Sequence, residues 1–530
     1  GIDVRHLVIP EPGDDLTDWR ARDPEGFPGK LHDAVRSARP VRSPDEERRA
    51  AVVAELDRAV GADAVTRADG ERAADLVSKF RDRFGDVDTD VLRAHALVAF
   101  ANGRIKHAVG LGFFVWNGRC WESSTSRVRQ EIHRMGAALA LVGKTTEAKG
   151  FLTTKSIDNI INELRAIPSV SVRASDFDAR ADLLSVRNGT LDLRTGQLRP
   201  HDKRDMITRF VDVDYRPDAT CPRWERFLTE IFPDHPELPD YLRRLVGYGI
   251  TGSTSEQCFA VLWGKGANGK SVFMDTVTDV FASISRTTPF STFEEKPNGG
   301  IPNDLAALRG ARLVRASEGD QGRPMAEGVL KQATGGNVIT ARFLRQEFFE
   351  FVPSFLLLMD TNHKPKFRGQ DEGLWRRVKM IPFTRVFAPH ERDHSLTDKL
   401  RAEAEGILAW AVRGAVEWYR DGLQDPDVVK EATREYRETS DALAGFFPGV
   451  LVPGDEGDTV LGSDAFSAYR DWCEAENLPA RERWTRRAFY SALEERGVYR
   501  KRVRAGMALV GVRLAANVPG DVHNTDTPGR

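Results

Sequence analysis

The run Cys258-Phe-Ala-Val-Leu-Trp263-Gly264-Lys265-Gly266-Ala267-Asn268-Gly269-Lys270-Ser271 decides how this chain is read. Its apolar opening predicts a buried strand ending at Trp263, and Ser271–Phe281 carries helical periodicity. Between them stands a complete G-x-x-x-x-G-K-[ST] pattern. Glycines let successive backbone N–H groups turn inward around phosphate oxygens, and the next helix offers its partial positive charge. Lys270 is placed to neutralise β- and γ-phosphates, and the Ser271 hydroxyl to ligate Mg2+. The alternative is a glycine-rich turn that binds nothing.

Three further segments follow. Arg312-Leu-Val-Arg-Ala-Ser317-Glu318 reads as a strand ending in an acid, followed by Gly319-Asp320. Glu318 suits polarising water or holding a metal's hydration shell, with Asp320 the weaker candidate; either acid could instead cap the next turn. Phe355-Leu-Leu-Leu-Met-Asp360-Thr-Asn362-His-Lys-Pro is apolar enough to be buried on both faces of a parallel sheet. Asn362, just past it, can donate to a phosphate and accept from water, or simply form a turn before Pro365. In Asp371-Glu-Gly-Leu-Trp-Arg376-Arg377 two guanidiniums share a short helix, either to meet a phosphoryl oxygen or to form surface ion pairs.

The length of 530 residues suggests three or four domains. Basic and acidic residues number 77 and 79, so a polyanionic partner must be held by local patches. Four cysteines without a C-x-x-C pair exclude a zinc ribbon and a disulfide framework. No apolar run is long enough to span a membrane, and the scattered cysteines fit a reducing cytoplasm. Residues 31–85 read as a charged linker with one or two exposed helices. Residues 86–235 mix strands and helix, with hairpin turns at Asn117-Gly118 and Thr195-Gly196. Residues 236–425 alternate strand and helix, which predicts a three-layer α/β domain. Residues 430–515 read as helices followed by a β-pair, and 516–530 as a disordered tail.

Two regions suit polynucleotide. Asn337–Glu350 reads as a hairpin or loop offering Arg342, Phe343 and Arg345, guanidiniums for phosphate beside a ring for stacking; the alternative is a core Phe343 with solvated arginines. Lys364, Lys366 and Arg368 form a second basic loop. From Arg481 to Arg504 there are nine basic and three acidic residues. Thr485 is a candidate cap for a helix running to Arg496. Strands at Tyr499–Arg504 and Met507–Leu514 complete a helix-and-wing pattern, with Arg486, Arg487, Arg500, Lys501 and Arg502 as DNA contacts, or as a solvated basic face packed on a neighbouring domain.

The order of these segments, with Leu330-Lys-Gln-Ala-Thr-Gly-Gly-Asn-Val-Ile-Thr-Ala-Arg between them, resembles the helicase of phage and plasmid primase-helicases. These are superfamily 3 motors of the AAA+ type, also similar to the poxvirus primase-helicase. Upstream, Ser185-Val-Arg-Asn-Gly-Thr-Leu-Asp-Leu-Arg-Thr-Gly, Pro217-Asp-Ala-Thr-Cys-Pro and Tyr241-Leu-Arg-Arg-Leu-Val-Gly-Tyr resemble the family's domain before the motor. The resemblance covers about 86–515. It implies a multidomain α/β protein: an AAA+ P-loop motor with a mostly parallel sheet, an α+β N-terminal collar and a C-terminal winged helix. It further implies ATP and Mg2+ as cofactors and a homo-hexameric ring that tracks single-stranded DNA, usually 3′→5′, and opens forked DNA. Other replication proteins are possible partners, and the setting is a bacterial host cell or prophage. Lys265 to Asn268 join the loop, Glu318 takes the acidic strand end, Asn362 the sensor, and Arg376 or Arg377 the finger for a neighbouring subunit. The 342–345 region supplies the hairpin in the pore. Asn337 stands where the family has Asp. LVIPEPGDDLTDW resembles the end of a Toprim-type primase domain within residues 1–30, and no primase activity is expected of this chain. An origin-binding initiator or loader, using ATP as a switch, is the alternative function; a P-loop ATPase acting without DNA is the third.

Overall fold

The computed structural model describes residues 5–6, 16–37, 39–40, 65–85, 89–295, 303–317, 323–342, 349–367, 369–441, 443–455, 457–480 and 483–515. They fall into two compact units, residues 1–115 with 122–174, and 116–121 with 175–530.

The first unit is mainly helical. Helices Arg67–Phe84, Asp90–Phe100, Thr125–Leu141, Thr145–Leu152 and Thr154–Leu164 surround a core that includes Phe100, Ile132, Met135, Leu139, Phe151 and Ile160. Residues 67–84 depart from the expected exposed linker helix. Thr66 and Asp69 close a reciprocal capping box, and the helix buries Ala73 and packs Val77 and Phe80 onto the core. At Gly70 a Cβ would stand 2.4 Å from the Ala138 carbonyl oxygen, so this glycine sets how closely the helix approaches Thr125–Leu141. Its charged outer face hides this apolar stripe from a composition-based reading. Residues 7–15 of the Toprim-like stretch and the 516–530 tail lie outside the described residues.

The second unit opens with strands Leu183–Val186, Gly189–Asp192 and Gln197–Arg199, which form a meander joined by parallel Phe210–Val211. Helices α1 (Pro222–Ile231) and α2 (Leu238–Thr251) lead into a five-stranded sheet. Its parts are β1 (Phe259–Trp263), α3 (Lys270–Val280), β2 (Ser285–Pro289), β3 (Leu313–Ser317), α4 (Glu327–Thr334), β4 (Leu356–Thr361) and β5 (Val378–Pro382). The order is β2-β3-β4-β1-β5, with every pair parallel. Alternate side chains enter two cores. Ala260, Leu262 and Leu358 pack with Phe273 and Met274 of α3, while Val261, Val314 and Met359 pack with Leu330 of α4 and Trp375. This double burial explains the unbroken apolar runs of β1 and β4.

Register puts the carboxyl ends of the central strands on one edge: Trp263 pairs with Thr361, and Ser317 with Asp360. Ligands of open parallel sheets bind at such an edge, where strand order reverses. Here the reversal lies at β1.

Strands Ile339–Ala341 and Phe349–Phe351 pair antiparallel between α4 and β4. The last module places helices Gly462–Ala475 and Arg486–Glu494 over Phe446, Tyr469 and Leu509, with a hairpin of Tyr499–Val503 and Gly506–Val510. The Thr485 hydroxyl caps the second helix, which ends at Glu494. The expected strand Met507–Leu514 is broken: Gly511 takes φ 75°, and Val512–Leu514 turns away to pair with Leu451–Pro453.

Candidate nucleotide and nucleic-acid sites

The loop after β1 is held from outside by the segment after β5. Phe383 N–H donates to the Trp263 carbonyl at 2.7 Å, Asn268 Nδ2 to the Phe383 carbonyl at 3.2 Å, and Phe387 N–H to the Ala267 carbonyl at 2.8 Å. A Cβ on Gly264 would meet the Phe383 oxygen at 2.1 Å, so only glycine fits there. Ala267 at φ 61° and Gly269 at φ 85° are left-handed, which turns the peptides between Gly264 and Lys270. Asn268, buried at 3% exposure, also accepts from Lys270 N–H at 3.3 Å. Lys265, Gly266 and Ser271 are exposed, Ser271 in the first turn of α3.

Lys270 itself is 3% exposed. Its ammonium donates to the Gly264 carbonyl and, at 2.9 Å, to Asn362 Oδ1 just past β4. Two residues singled out separately in the sequence thus meet at the carboxyl edge. The cradle fits a triphosphate in its chemistry: a turned backbone that admits no side chain at Gly264, a lysine ammonium, and a helix N-terminus. Glu318 and Asp320 lie outside the described residues. Among the described residues no cluster of three or more His, Cys, Asp or Glu side chains is placed to hold a metal ion.

Sequence reasoning missed Arg315. It projects from β3 to Asp360 of β4 at 3.2 Å and to Asp275 of α3, with its side chain 15% exposed. One guanidinium therefore joins the strand before Glu318, the strand before Asn362 and the helix bearing Lys270. The available signal was alternation: Leu313, Arg315 and Ser317 share a face that the register sets beside Asp360.

Arg376 and Arg377 stand at the opposite, amino edge, where Phe259 N–H bonds the Arg377 carbonyl at 2.9 Å. They differ sharply. Arg377 is buried, donating from Nε to the Gly373 carbonyl at 2.9 Å and from Nη1 to Thr334 Oγ1 and the Gln257 carbonyl, both at 3.3 Å. Burial, then the charge of Arg376, hold its guanidinium below the usual value. Arg376 is exposed, bonding Gln257 Oε1 at 3.0 Å.

The polynucleotide candidates are placed unevenly. Arg342 follows the first hairpin strand, while Phe343, Arg345 and Arg368 lie outside the described residues. Lys364 is drawn inward, its ammonium 4.8 Å from the Trp263 ring centroid and 5.6 Å from that of Tyr436. Lys366 is exposed. In the last module Arg486 lies over Phe466, and Arg500 lies over Tyr490 while pairing with Glu494. Arg487, Lys501 and Arg502 are exposed, beside Tyr499 at 73% and Met507 at 47% exposure.

Residues 90–233 match the family described as "D5 N terminal like". A candidate helicase of Acanthamoeba polyphaga mimivirus, L207/L206, is 29% identical over 324 residues, covering 56% of this chain and 33% of that protein. The variola virus uncoating factor OPG117 is 23% identical over 273 residues, covering 46% of this chain and 33% of the factor. The chain spans about a third of the length of these relatives. Among solved structures, the apo NrS-1 C-terminal region aligns with a TM-score of 0.45 and 11% identity over 81% of this chain and 100% of that one, too distant to carry an argument. Residues 90–233 thus carry a D5-type segment, and the chain resembles proteins of the phage and viral primase-helicase kind over part of their length.

Proposed function

We propose that the chain is the motor part of a replication protein, an ATP-dependent helicase that moves on single-stranded DNA and opens duplex. The observation that carries this is the Lys270–Asn362 contact. It unites a complete phosphate-binding loop with a polar group on the neighbouring strand, where water attacking a γ-phosphate must be oriented. Gly264–Ser271 would hold the triphosphate, and Ser271 and Glu318 would hold a Mg2+ whose charge would offset that of the β- and γ-phosphates. Lys270 stabilises the transferring phosphoryl group, Glu318 polarises the water, and Asn362 orients it.

The double arginine supports sites shared between copies of the chain. It lies at the amino ends of β1 and β5, about 16 Å from the nucleotide loop at ~3.3 Å per residue of strand. An arginine there serves another subunit's nucleotide more readily than its own. A homo-hexamer with one site per interface satisfies this, with the AAA+ motor at its centre. Arg342, Phe343 and Arg345 contact the single strand, and the last module acts as a winged helix on duplex through Arg486, Arg487, Arg500, Lys501 and Arg502. The exposed basic hairpin of that module also suits an initiator or loader using ATP as a switch.

ATP turnover with and without single-stranded DNA, measured beside strand displacement on a 3′-tailed fork, tests the reading, with Lys270→Ala as control. Stimulated turnover with displacement is expected. Stimulation without displacement selects the loader, and no response to DNA removes both.

A further inference from the structure

Three arginines gather at the amino ends of β2 and β3, away from the nucleotide edge. Arg286 is the second residue of β2, Arg309 lies in the turn before β3, and Arg209 precedes the Phe210–Val211 strand. Arg209 Nη2 donates to the Arg309 carbonyl at 3.4 Å and sits against Gly310, where a Cβ would meet it at 3.1 Å. The Arg309 guanidinium lies 5.5 Å from the Phe349 ring centroid, at the start of the second strand of the Ile339–Phe351 hairpin. Among the described residues, Arg286 donates only to the carbonyl of its neighbour, Ser285, at 2.7 Å.

Charge is what sets this group apart. Most arginines of the motor meet an acid or a full set of carbonyls; among the described residues no carboxylate lies within ion-pair distance of these three. Arg209 Nε is buried with no hydrogen-bond partner. Burial, and then the charge of Arg209, hold the Arg286 guanidinium below its usual value. Burial does the same for Arg309, where Asp178 opposes the effect and Arg209 adds to it. Asp178 is itself occupied, accepting from Thr208 N–H at 2.7 Å and from the Thr208 hydroxyl. Half-buried like charges without a counter-charge cost stability unless a ligand supplies one.

We propose that Arg209, Arg286 and Arg309 form a phosphate-binding site for the backbone of a nucleic-acid strand, beside the paired strands Ile339–Ala341 and Phe349–Phe351. Guanidiniums suit it because their fixed donor forks match phosphate oxygens, and Phe349 keeps one fork oriented. The ligand rests on the helicase reading; the cluster itself does not.

The test is binding of a fluorescent thirty-nucleotide oligo-dT to the full chain across a salt series, for wild type, Arg286→Gln and Arg309→Gln. Each substitution is expected to lower the slope of log K against log salt by about 0.7 and to weaken binding severalfold. Unliganded melting temperature should stay level or rise, because repulsion is relieved, and ATP turnover without DNA should not change. Arg286→Lys should keep the slope while losing some affinity, which covers the case of a poorly folding glutamine variant. Arginines that merely support the fold would lower the melting temperature and leave slope and affinity alone, and that result overturns the site. Wild type that binds the oligonucleotide equally with its variants removes this proposal only; wild type that binds none removes the helicase reading as well.

Discussion

Lys270 and Asn362 stand 92 residues apart in the chain, yet the ammonium of one donates to the side-chain carbonyl of the other at 2.9 Å. Parallel pairing of β1 with β4 produces this, because the register sets Trp263 beside Thr361 and releases both loops at the same height. On the proposed reading, a γ-phosphate bound here would compete with Asn362 for the Lys270 ammonium.

Removing either partner should therefore act differently on binding and on chemistry. Lys270→Ala is expected to weaken nucleotide binding and cut turnover about 10²–10³-fold, the usual loss of a transition-state donor. Asn362→Ala should lower kcat by about 10²-fold with little change in nucleotide Kd. The double variant should be no slower than Lys270→Ala alone, since both act in one step. Single-turnover kinetics with equilibrium nucleotide binding checks this, and additive losses would separate the two residues.

The loop's glycines are not equivalent. Gly264→Ala must push its Cβ against the Phe383 carbonyl, whereas a Cβ on Gly266 meets nothing within 4 Å. We expect Gly264→Ala to lose about 1–3 kcal/mol of folding stability, and Gly266→Ala less than about 0.5 kcal/mol. Urea denaturation of the two variants side by side decides it; equal losses would mean the strap after β5 yields.

The motif-bearing elements were legible because local pattern and burial agree there. The apolar runs before Gly264 and Asn362 could only be central strands, and the signature fixed the loop between β1 and α3. Arg315 was not legible, because a charge within a strand reads as solvent-facing until the partner strand's register is known. The helix Arg67–Phe84 was hidden by its charged outer face, and its fit depends on Gly70, whose role appears only when the Ala138 carbonyl is opposite. The difference between Arg376 and Arg377 was beyond spacing altogether, since adjacent residues in a turn diverge according to what lies behind them.

Arg315 makes a prediction of its own. Arg315→Met leaves Asp275 and Asp360 without their shared cation, and truncating one partner of a buried charge group typically costs about 3–5 kcal/mol. With Arg315 15% exposed but Asp275 half exposed, a loss of about 2–3 kcal/mol is expected after allowing for solvent screening. The triple variant Arg315→Met, Asp275→Asn, Asp360→Asn should recover much of it. Turnover should fall more than stability alone explains, because the elements leading to Lys270, Glu318 and Asn362 lose their common tie. Chemical denaturation with kcat measured well below the unfolding transition checks both parts.

The arginine pair gives the last prediction. Arg377 occupies the half-buried carbonyls of Gly373 and Gln257 and the buried Thr334 hydroxyl, so Arg377→Ala leaves three acceptors without this donor. That should cost about 2–3 kcal/mol of stability. Arg376→Ala removes one exposed contact and should cost less than about 0.5 kcal/mol. Turnover separates support from catalysis. A finger acting between subunits is silenced in trans, so inactive Arg376→Ala chains mixed with inactive Lys270→Ala chains should regain activity at interfaces that combine an intact loop with an intact arginine. The same mixture made with Arg377→Ala, assayed well below its melting temperature, shows whether the buried arginine is withdrawn from its carbonyls on assembly. Recovery in one mixture assigns the finger, and recovery in neither places each arginine with its own chain's fold.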